Sequence, residues 1–251
     1  MPMRPALRAV GRLMRLLGYL AVGLWRARSL ERLDEATRRE IVRAWLAGVG
    51  DILGVSVQVR GAARIDDLVE AGSVWLPNHV SWLDIPLLGG IRPGTVFLAK
   101  SEIRHWPVIG RLARLAGTQF IVRGQGSEAA ASAVAEGLTR GRQMVVFAEG
   151  TTSEGLSVRR FHARLLGPAI EAGRPLVPVA LTYRDERGKR TTGPAFIGQE
   201  SLWPSLWRVL RARGLHARIE LLDPIVPAPD DTRTELARRA EQAVMAAVAS
   251  S

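Results

Sequence analysis

The chain is organised around the stretch Trp75-Leu76-Pro77-Asn78-His79-Val80-Ser81-Trp82-Leu83-Asp84. An apolar run at residues 74–76 predicts a buried strand, which ends at the proline at position 77. Polar residues follow immediately, where a turn or a helix begins. Because a rigid strand holds such a turn in place, strand ends are common positions for functional side chains. We therefore treat this turn as a candidate site.

His79 and Asp84 are five residues apart, a spacing that does not favour contact on a continuous helix. On a turn that opens into a helix, the carboxylate reaches back to one ring nitrogen, fixes the tautomer and leaves the other nitrogen free as a base. The alternative is that Asn78 or Ser81 caps a helix, His79 packs in the core and Asp84 is solvated. A single His-x4-Asp spacing often arises by accident, so the choice between these two interpretations depends on the other motifs in the chain.

Composition limits the classes of protein to consider. The chain has 251 residues, 47% hydrophobic and 24% charged, which is enough for one globular domain with a large core. Its formal net charge of +11 favours anionic partners: nucleic acid, anionic lipid headgroups or phosphorylated substrates. The absence of cysteine excludes disulfides, thiolate catalysis and cysteine-ligated zinc. The four histidines are scattered, which argues against a multi-histidine metal site.

The N-terminal segment combines arginines with an apolar run at residues 16–25. That run is half of the roughly 20 residues needed to span a bilayer, and no small-residue cleavage site follows it. The pattern favours a helix at a membrane interface; the alternative is a core helix whose arginines extend to solvent. Apolar residues at helical spacing between 33 and 46 predict a second helix. We expect residues 1–50 to form a membrane-anchoring helical pair and residues 51–251 an α/β domain.

Short apolar runs alternate with helical stretches in the remainder of the chain. We expect strands at residues 55–60, 74–76, 95–99, 119–122, 144–147, 176–181 and 217–222, and helices at about 107–116, 127–140, 162–172 and 200–213. A last helix covers residues 232–249, with Thr232 as its cap. This alternation predicts an α/β fold with a mixed, mostly parallel sheet flanked by helices.

Polar clusters recur at three further strand ends: Lys100, the segment at residues 117–124 and the segment at residues 147–153. Taken singly, Arg123 is a solvated arginine, Glu149 a structural carboxylate and Gly150 a turn glycine. In an open α/β sheet, however, ligands bind at the carboxyl ends of the strands. Together the clusters supply a base, cations for a phosphate and backbone donors from a Gly-Thr turn.

The order and spacing of these clusters resemble the glycerolipid acyltransferases typified by 1-acyl-sn-glycerol-3-phosphate acyltransferase. That family has four ordered blocks, and the resemblance extends from about residue 55 to residue 225. Asn-His-x4-Asp is matched at 78–84, Gly-x-x-Phe-Ile-x-Arg at 117–123, and Val-Pro-Val at 177–179. Phe-Pro-Glu-Gly-Thr-Arg-Ser is matched in part at 147–153.

Two residues depart from the third block: Ala148 stands where the family has proline, and Thr152 where it has arginine. The loss of the arginine removes one potential phosphate partner. The combination of Asn-His-Val-Ser-Trp-Leu-Asp with Phe-Ala-Glu-Gly-Thr-Thr-Ser also resembles the lyso-ornithine lipid O-acyltransferase branch, whose acceptor carries an amino-acid headgroup without a phosphate. The acceptor headgroup therefore has two candidates.

The resemblance implies transfer of an acyl group from a thioester to a lysolipid hydroxyl. His79 would act as general base and Asp84 would hold its tautomer. The implied acceptor side comprises Asn78, Ser81, Lys100, Arg123, Glu149, Gly150 and Thr151, with Ser81 as a turn or helix-capping hydroxyl. Lysophosphatidate is the first candidate acceptor, since Lys100 and Arg123 remain available for a phosphate.

The substrate implies the partners. We expect a membrane surface, a lysolipid acceptor and an acyl carrier protein or coenzyme A thioester as donor, with no metal or organic cofactor. The expected location is the inner (cytoplasmic) membrane, peripheral or monotopic on the cytoplasmic face.

Two rival classes fit the sequence less well. A hydrolase or phospholipase needs a nucleophile or metal that the sequence does not offer; in particular, there is no Gly-x-Ser-x-Gly elbow. A non-enzymatic basic module that binds a membrane or nucleic acid would explain the net charge. It would not explain polar clusters at successive strand ends, and no nucleic-acid-binding motif is present.

Overall fold

The computed structural model describes residues 3–30, 32–62, 72–105, 109–121 and 126–251. Within this part of the chain, seven strands form one sheet. They are β1 (Val55–Arg60), β2 (Ser73–Pro77), β3 (Thr95–Lys100), β4 (Gln119–Ile121), β5 (Gln143–Val145), β6 (Leu176–Asp185) and β7 (Leu215–Leu221). Each lies where the sequence predicts a strand, and β6 is the one that extends furthest beyond its predicted end.

The sheet has the order β1-β7-β6-β2-β5-β3-β4. Neighbouring strands run parallel, except that β6 and β7 are antiparallel. The predicted mixed, mostly parallel sheet is therefore confirmed. The extra length of β6 follows from its antiparallel partner, because its last residue, Asp185, pairs with Leu215 at the start of β7.

The helices also follow the predicted pattern. They are α1 (Met3–Leu30), α2 (Glu35–Leu53), α3 (Asp84–Gly89), α4 (Ile109–Leu115), α5 (Gly126–Thr139), α6 (Gly167–Glu171), α7 (Leu202–Arg211) and α8 (Arg233–Ala249). The Thr232 side chain accepts a hydrogen bond from the Glu235 N–H, which confirms the predicted cap of α8. The helix expected at 162–172 is divided into a 3-10 turn (Ala163–Leu166) and α6, since the proline at 168 has no N–H to continue the ladder.

Both faces of the sheet are covered, and alternate strand residues enter two separate cores. On β2, Trp75 packs in a core with residues of α1, α2, α3 and α7. Its neighbours Val74 and Leu76 pack in the other core, with residues of α5, α6 and α8. This period of two along a strand is what a sheet buried on both faces requires.

The helical pair predicted at the N-terminus is present. The Tyr19 hydroxyl of α1 donates to the Trp45 carbonyl oxygen of α2 at 2.9 Å, and the two rings stack with centroids 5.6 Å apart. Ala9 and Leu16 place the inner side of α1 in the core that also contains Trp75. Among the described residues, no helix is both long and apolar enough to cross a membrane. The domain boundary at residue 50 stays a prediction.

Candidate active site

His79 and Asp84 lie on the turn between β2 and α3. Pro77 ends the strand, and α3 begins at Asp84 itself. This turn brings the Asp84 Oδ2 atom to 2.8 Å from the His79 Nδ1 atom. With the proton on Nδ1 directed at the carboxylate, the lone pair of the neutral imidazole is on Nε2. The His79 side chain is 17% exposed and that of Asp84 is 0% exposed, so the histidine stands between a buried carboxylate and solvent.

The Asp84 carboxylate accepts three further hydrogen bonds. The backbone N–H groups of Val80 and Ser81 donate to Oδ2 at 2.7 and 2.9 Å, and the Tyr183 hydroxyl donates to Oδ1 at 2.7 Å. A buried carboxylate needs such partners, because a charge removed from water without them is strongly destabilising. The result is a carboxylate whose position is fixed from the turn on one side and from β6 on the other.

Tyr183 is a member of the site that the sequence did not indicate. It is buried on β6, and both its burial and the adjacent Asp84 carboxylate raise its pKa well above the ordinary value. The phenol therefore keeps its proton and acts as a donor to Asp84. The available signal was its alternation along β6 with Val179 and Leu181, which places it on the same face but does not reveal its partner.

The imidazole of His79 is packed against an aromatic ring. Phe147, which follows β5, stacks on it with a centroid distance of 3.7 Å and an interplanar angle of 19°. Phe97 of β3 lies behind Phe147, with ring centroids 6.5 Å apart. One face of the imidazole is therefore held by packing, which limits its rotation.

Glu149 and Ser153 fix the backbone of His79. Glu149 is buried; its Oε1 atom accepts from the His79 N–H at 2.8 Å and its Oε2 atom from the Arg159 N–H at 3.1 Å. The Ser153 N–H donates to the His79 carbonyl oxygen at 2.8 Å. The third block thus clamps the peptide groups on both sides of the histidine, and both Glu149 oxygens are engaged within the protein.

Asn78 and Ser81 also make internal bonds. The Asn78 amide donates to the Leu181 carbonyl oxygen at 3.0 Å and accepts from the Leu181 N–H at 2.8 Å, as a neighbouring strand would. The Ser81 hydroxyl accepts from the Leu83 N–H at 3.2 Å, in keeping with a hydroxyl that stabilises a turn. These bonds join the turn to β6 and to the start of α3.

Of the remaining predicted residues, the structure describes Gly150 and Thr151 in full. Gly150 and Thr151 are exposed on the turn after Ala148. The Thr152 hydroxyl donates to the Phe196 carbonyl oxygen. Lys100 is the last residue of β3, but its side chain lies outside the described set, and Arg123 lies outside the described residues altogether. In the described ranges, no group of three or more histidine, aspartate and glutamate side chains is placed to hold a metal ion.

Comparisons with known proteins find similarity to acyltransferases. A family model described as Acyltransferase matches residues 56–182. The chain is 44% identical over 250 residues to a lyso-ornithine lipid O-acyltransferase of Pseudomonas aeruginosa, and the match covers 96% of this chain and 94% of that protein. It is 39% identical over 174 residues to a 1-acyl-sn-glycerol-3-phosphate acyltransferase of Neisseria meningitidis, a match that covers 68% of each protein.

The fold matches a solved structure as well. The crystal structure of the 1-acyl-sn-glycerophosphate acyltransferase PlsC from Thermotoga maritima superimposes with a TM-score of 0.74, and the match covers 98% of this chain and 95% of that one. At 22% sequence identity, this likeness concerns the fold. The family match over residues 56–182 includes the whole His79–Asp84 turn and the Glu149 clamp, and the chain belongs to the acyltransferase family.

Proposed function

We propose that this protein transfers a fatty acyl group from a thioester to the free hydroxyl of a lysolipid, with His79 as the general base. The observation that carries the proposal is the hydrogen bond of 2.8 Å between His79 Nδ1 and the buried Asp84 Oδ2. The His79 side chain itself remains partly exposed, so a substrate can reach it. A carboxylate on one nitrogen orients the ring and raises the basicity of the other, which is the arrangement that general-base catalysis requires.

In the proposed reaction, His79 Nε2 removes the proton from the acceptor hydroxyl as its oxygen attacks the thioester carbonyl carbon. The carbon–sulfur bond then breaks, and the thiolate takes the proton from the imidazolium. Asp84 stabilises the imidazolium between these steps. The hydroxyl attacks directly, so the reaction needs no covalent bond to the protein. The donor is a thioester of acyl carrier protein or of coenzyme A; both are anionic, and the net charge of +11 favours either.

For the acceptor, two observations favour lyso-ornithine lipid. The similarity to the Pseudomonas aeruginosa lyso-ornithine lipid O-acyltransferase extends over 96% of this chain. In addition, Thr152 replaces the arginine of the family's third block, and its hydroxyl is engaged with the Phe196 carbonyl oxygen. Lysophosphatidate is the second candidate, supported by the Neisseria relative and by Lys100 and Arg123 as potential phosphate partners.

We further propose that α1 docks on the cytoplasmic face of the inner membrane. Its inner side is in the core, but its outer side exposes a row of apolar side chains: Leu7, Val10, Met14, Leu17, Val22 and Trp25. A helix with such a row and with arginines beside it suits the boundary between headgroups and acyl chains. One face of α1 therefore packs in the protein core, and the opposite face is the one proposed to contact the membrane.

The first prediction concerns the catalytic pair. His79→Ala removes the base and should lower kcat by about 10²- to 10⁴-fold, the usual contribution of general-base catalysis. Asp84→Asn should also lower kcat, because the amide no longer fixes the tautomer. The measurement is thioester consumption by purified protein. The control is His216→Ala, an exposed histidine on β7, which should keep full activity. Undiminished transfer by His79→Ala would exclude this mechanism.

The second prediction concerns Glu149. Burial raises its pKa, and this effect exceeds the opposing effect of the two N–H donors. A carboxyl group whose pKa is higher in the folded state binds more protons there, so its contribution to stability falls as pH rises from its ordinary pKa to the raised one. Wild-type protein should therefore lose stability relative to Glu149→Gln as pH rises from about 4 towards neutrality. Urea unfolding of both proteins across this range gives the difference, and a gain with rising pH would contradict the prediction.

The third prediction concerns the acceptor. Purified protein receives lyso-ornithine lipid or lysophosphatidate, each with acyl carrier protein and coenzyme A thioesters, and products are identified by mass. We expect ornithine lipid to form with a kcat/KM at least tenfold higher than phosphatidate, since a site built to hydrogen-bond one headgroup discriminates strongly against a different one. A preference for lysophosphatidate would make Thr152 a tolerated replacement and would reverse the order of the two candidates.

The fourth prediction concerns docking. Met14 on α1 is 64% exposed, and Met245 on α8, which packs on the other face of the sheet, is 46% exposed. Burial of a methionine stabilises by about 1.5–3 kcal/mol, so Met14→Glu should weaken vesicle binding by roughly tenfold or more. Met245→Glu makes the same chemical change and should have little effect beyond its charge. Flotation with phosphatidylglycerol-containing vesicles measures both, and equal losses would argue against docking through α1.

A further inference from the structure

A second concave site lies at the edge of the sheet opposite to His79. It is a cavity of about 260 Å³ between α2, the turn before β3, the turn before β4 and the residue before β5. Thr95 and Arg142, which line it, stand at the beginnings of β3 and β5. The His79 cluster stands at the ends of the parallel strands, so the strands separate the two sites.

The lining of this cavity is strongly cationic. It contains six arginines (Arg38, Arg39, Arg43, Arg92, Arg114 and Arg142) and Glu35 as the carboxylate. The Oε1 atom of Glu35 already accepts from both Arg39 and Arg142. A concave site lined by one sign of charge concentrates the electric field and attracts counter-ions. Six guanidinium groups against the Glu35 carboxylate leave an excess of positive charge in the lining, which a bound anion would reduce.

Two of these guanidinium groups, those of Arg38 and Arg142, have donors without a partner among the described residues. The Arg142 side chain is 16% exposed, and its Nε atom is buried without a partner in the described part of the chain. The Arg38 side chain lines the cavity too, and it makes no hydrogen bond or ion pair with a described residue. Burial also lowers the pKa of Arg92. Buried donors without partners are destabilising, and a bound anion is one common way in which they are satisfied.

Two glycines allow the guanidinium groups to approach the wall of the cavity. Gly94 and Gly117 have φ angles of +78°, in the left-handed region. A Cβ atom at Gly117 would lie 3.2 Å from an Arg142 Nη atom, and one at Gly94 would lie 3.2 Å from the Arg39 Cδ atom. The turns before β3 and β4 therefore form a wall of bare backbone behind arginine side chains.

The size and chemistry of the cavity favour a phosphate. Guanidinium forks match phosphate oxygens in pairs, and the volume is below the approximate 300–1,000 Å³ of pockets for larger ligands. Leu30, at the end of α1, also lines the cavity, and the apolar row of α1 reaches Trp25, which is 67% exposed. The C-terminal end of α1 therefore adjoins the cavity, shortly after the exposed row ends at Trp25.

We infer that this cavity binds the phosphate of an anionic phospholipid headgroup, at a site separate from the one that holds the acyl acceptor. Arg12 near the start of α1 donates to the Ala212 carbonyl oxygen, close to the first residues of β7 and the last residues of β6. α1 therefore extends from the His79 edge of the sheet to the cavity edge. A headgroup bound at its far end fixes the orientation of α1 on the membrane.

The test starts with a water-soluble probe. Glycerophosphoglycerol, the headgroup of phosphatidylglycerol without its acyl chains, is titrated into full-length protein by calorimetry. Wild-type protein should bind one equivalent, and Arg38→Gln/Arg39→Gln should bind at least tenfold more weakly. The matched control is Arg233→Gln/Arg238→Gln, which removes the same charge from exposed positions of α8, on the other face of the sheet, and should bind as wild type does. Equal affinity in all three proteins would overturn the site.

A second measurement distinguishes a lipid from a free anion. The same proteins are mixed with phosphatidylglycerol-containing vesicles and, separately, with inorganic phosphate. The cavity variant should bind vesicles at least tenfold more weakly than the matched control. If it differs from the control towards inorganic phosphate but not towards vesicles, the cavity takes a free phosphate and the lipid assignment is wrong. If the double variant does not fold, as judged by its thermal transition, Arg38→Gln alone serves, since the Arg38 side chain has no described partner to lose.

Discussion

The arrangement of the active site depends on one buried carboxylate. Asp84 accepts hydrogen bonds from the His79 ring, from two N–H groups of its own turn and from the Tyr183 hydroxyl. Leaving such a charge without its partners would cost several kcal/mol. The turn, the first residue of α3 and the far half of β6 must therefore all be in place before the carboxylate is stable. The turn is complete only when the sheet is, which ties the geometry of the candidate site to the global fold.

The order of strands explains how distant blocks of sequence make one site. β2 lies between β6 and β5, so the turn after β2 has a neighbour on each side. On one side Asn78 bonds to the Leu181 backbone, and on the other Glu149 bonds to the His79 N–H. Parallel strands place their carboxyl ends at the same edge, so residues about 70 and 100 positions apart meet without long loops.

The secondary structure and the contact between His79 and Asp84 could be predicted from the sequence, each for its own physical reason. Strands and helices follow from hydrophobic period, and the contact between His79 and Asp84 follows from a turn that opens into a helix. The partner of Tyr183 could not be predicted, because it depends on the register between β2 and β6. The contact between Glu149 and the backbone of His79 could not be predicted either, because the donor is a backbone N–H, which any residue at position 79 except proline would supply. Sequence grouped Glu149 with Gly150 and Thr151, whereas the structure separates a buried carboxylate from an exposed turn.

This separation has a consequence for how the family can change its acceptor. The polar atoms that hold His79 bond to one another or to backbone: both Glu149 oxygens, both Asn78 amide atoms and both Asp84 oxygens are engaged within the protein. These atoms therefore cannot also bind a headgroup unless they give up the hydrogen bonds that position His79 and Asp84. Thr152, on the adjoining turn, bonds to Phe196 and not to this network. We therefore propose that a replacement at position 152 alters the charge offered to the acceptor while His79 and Asp84 keep their positions.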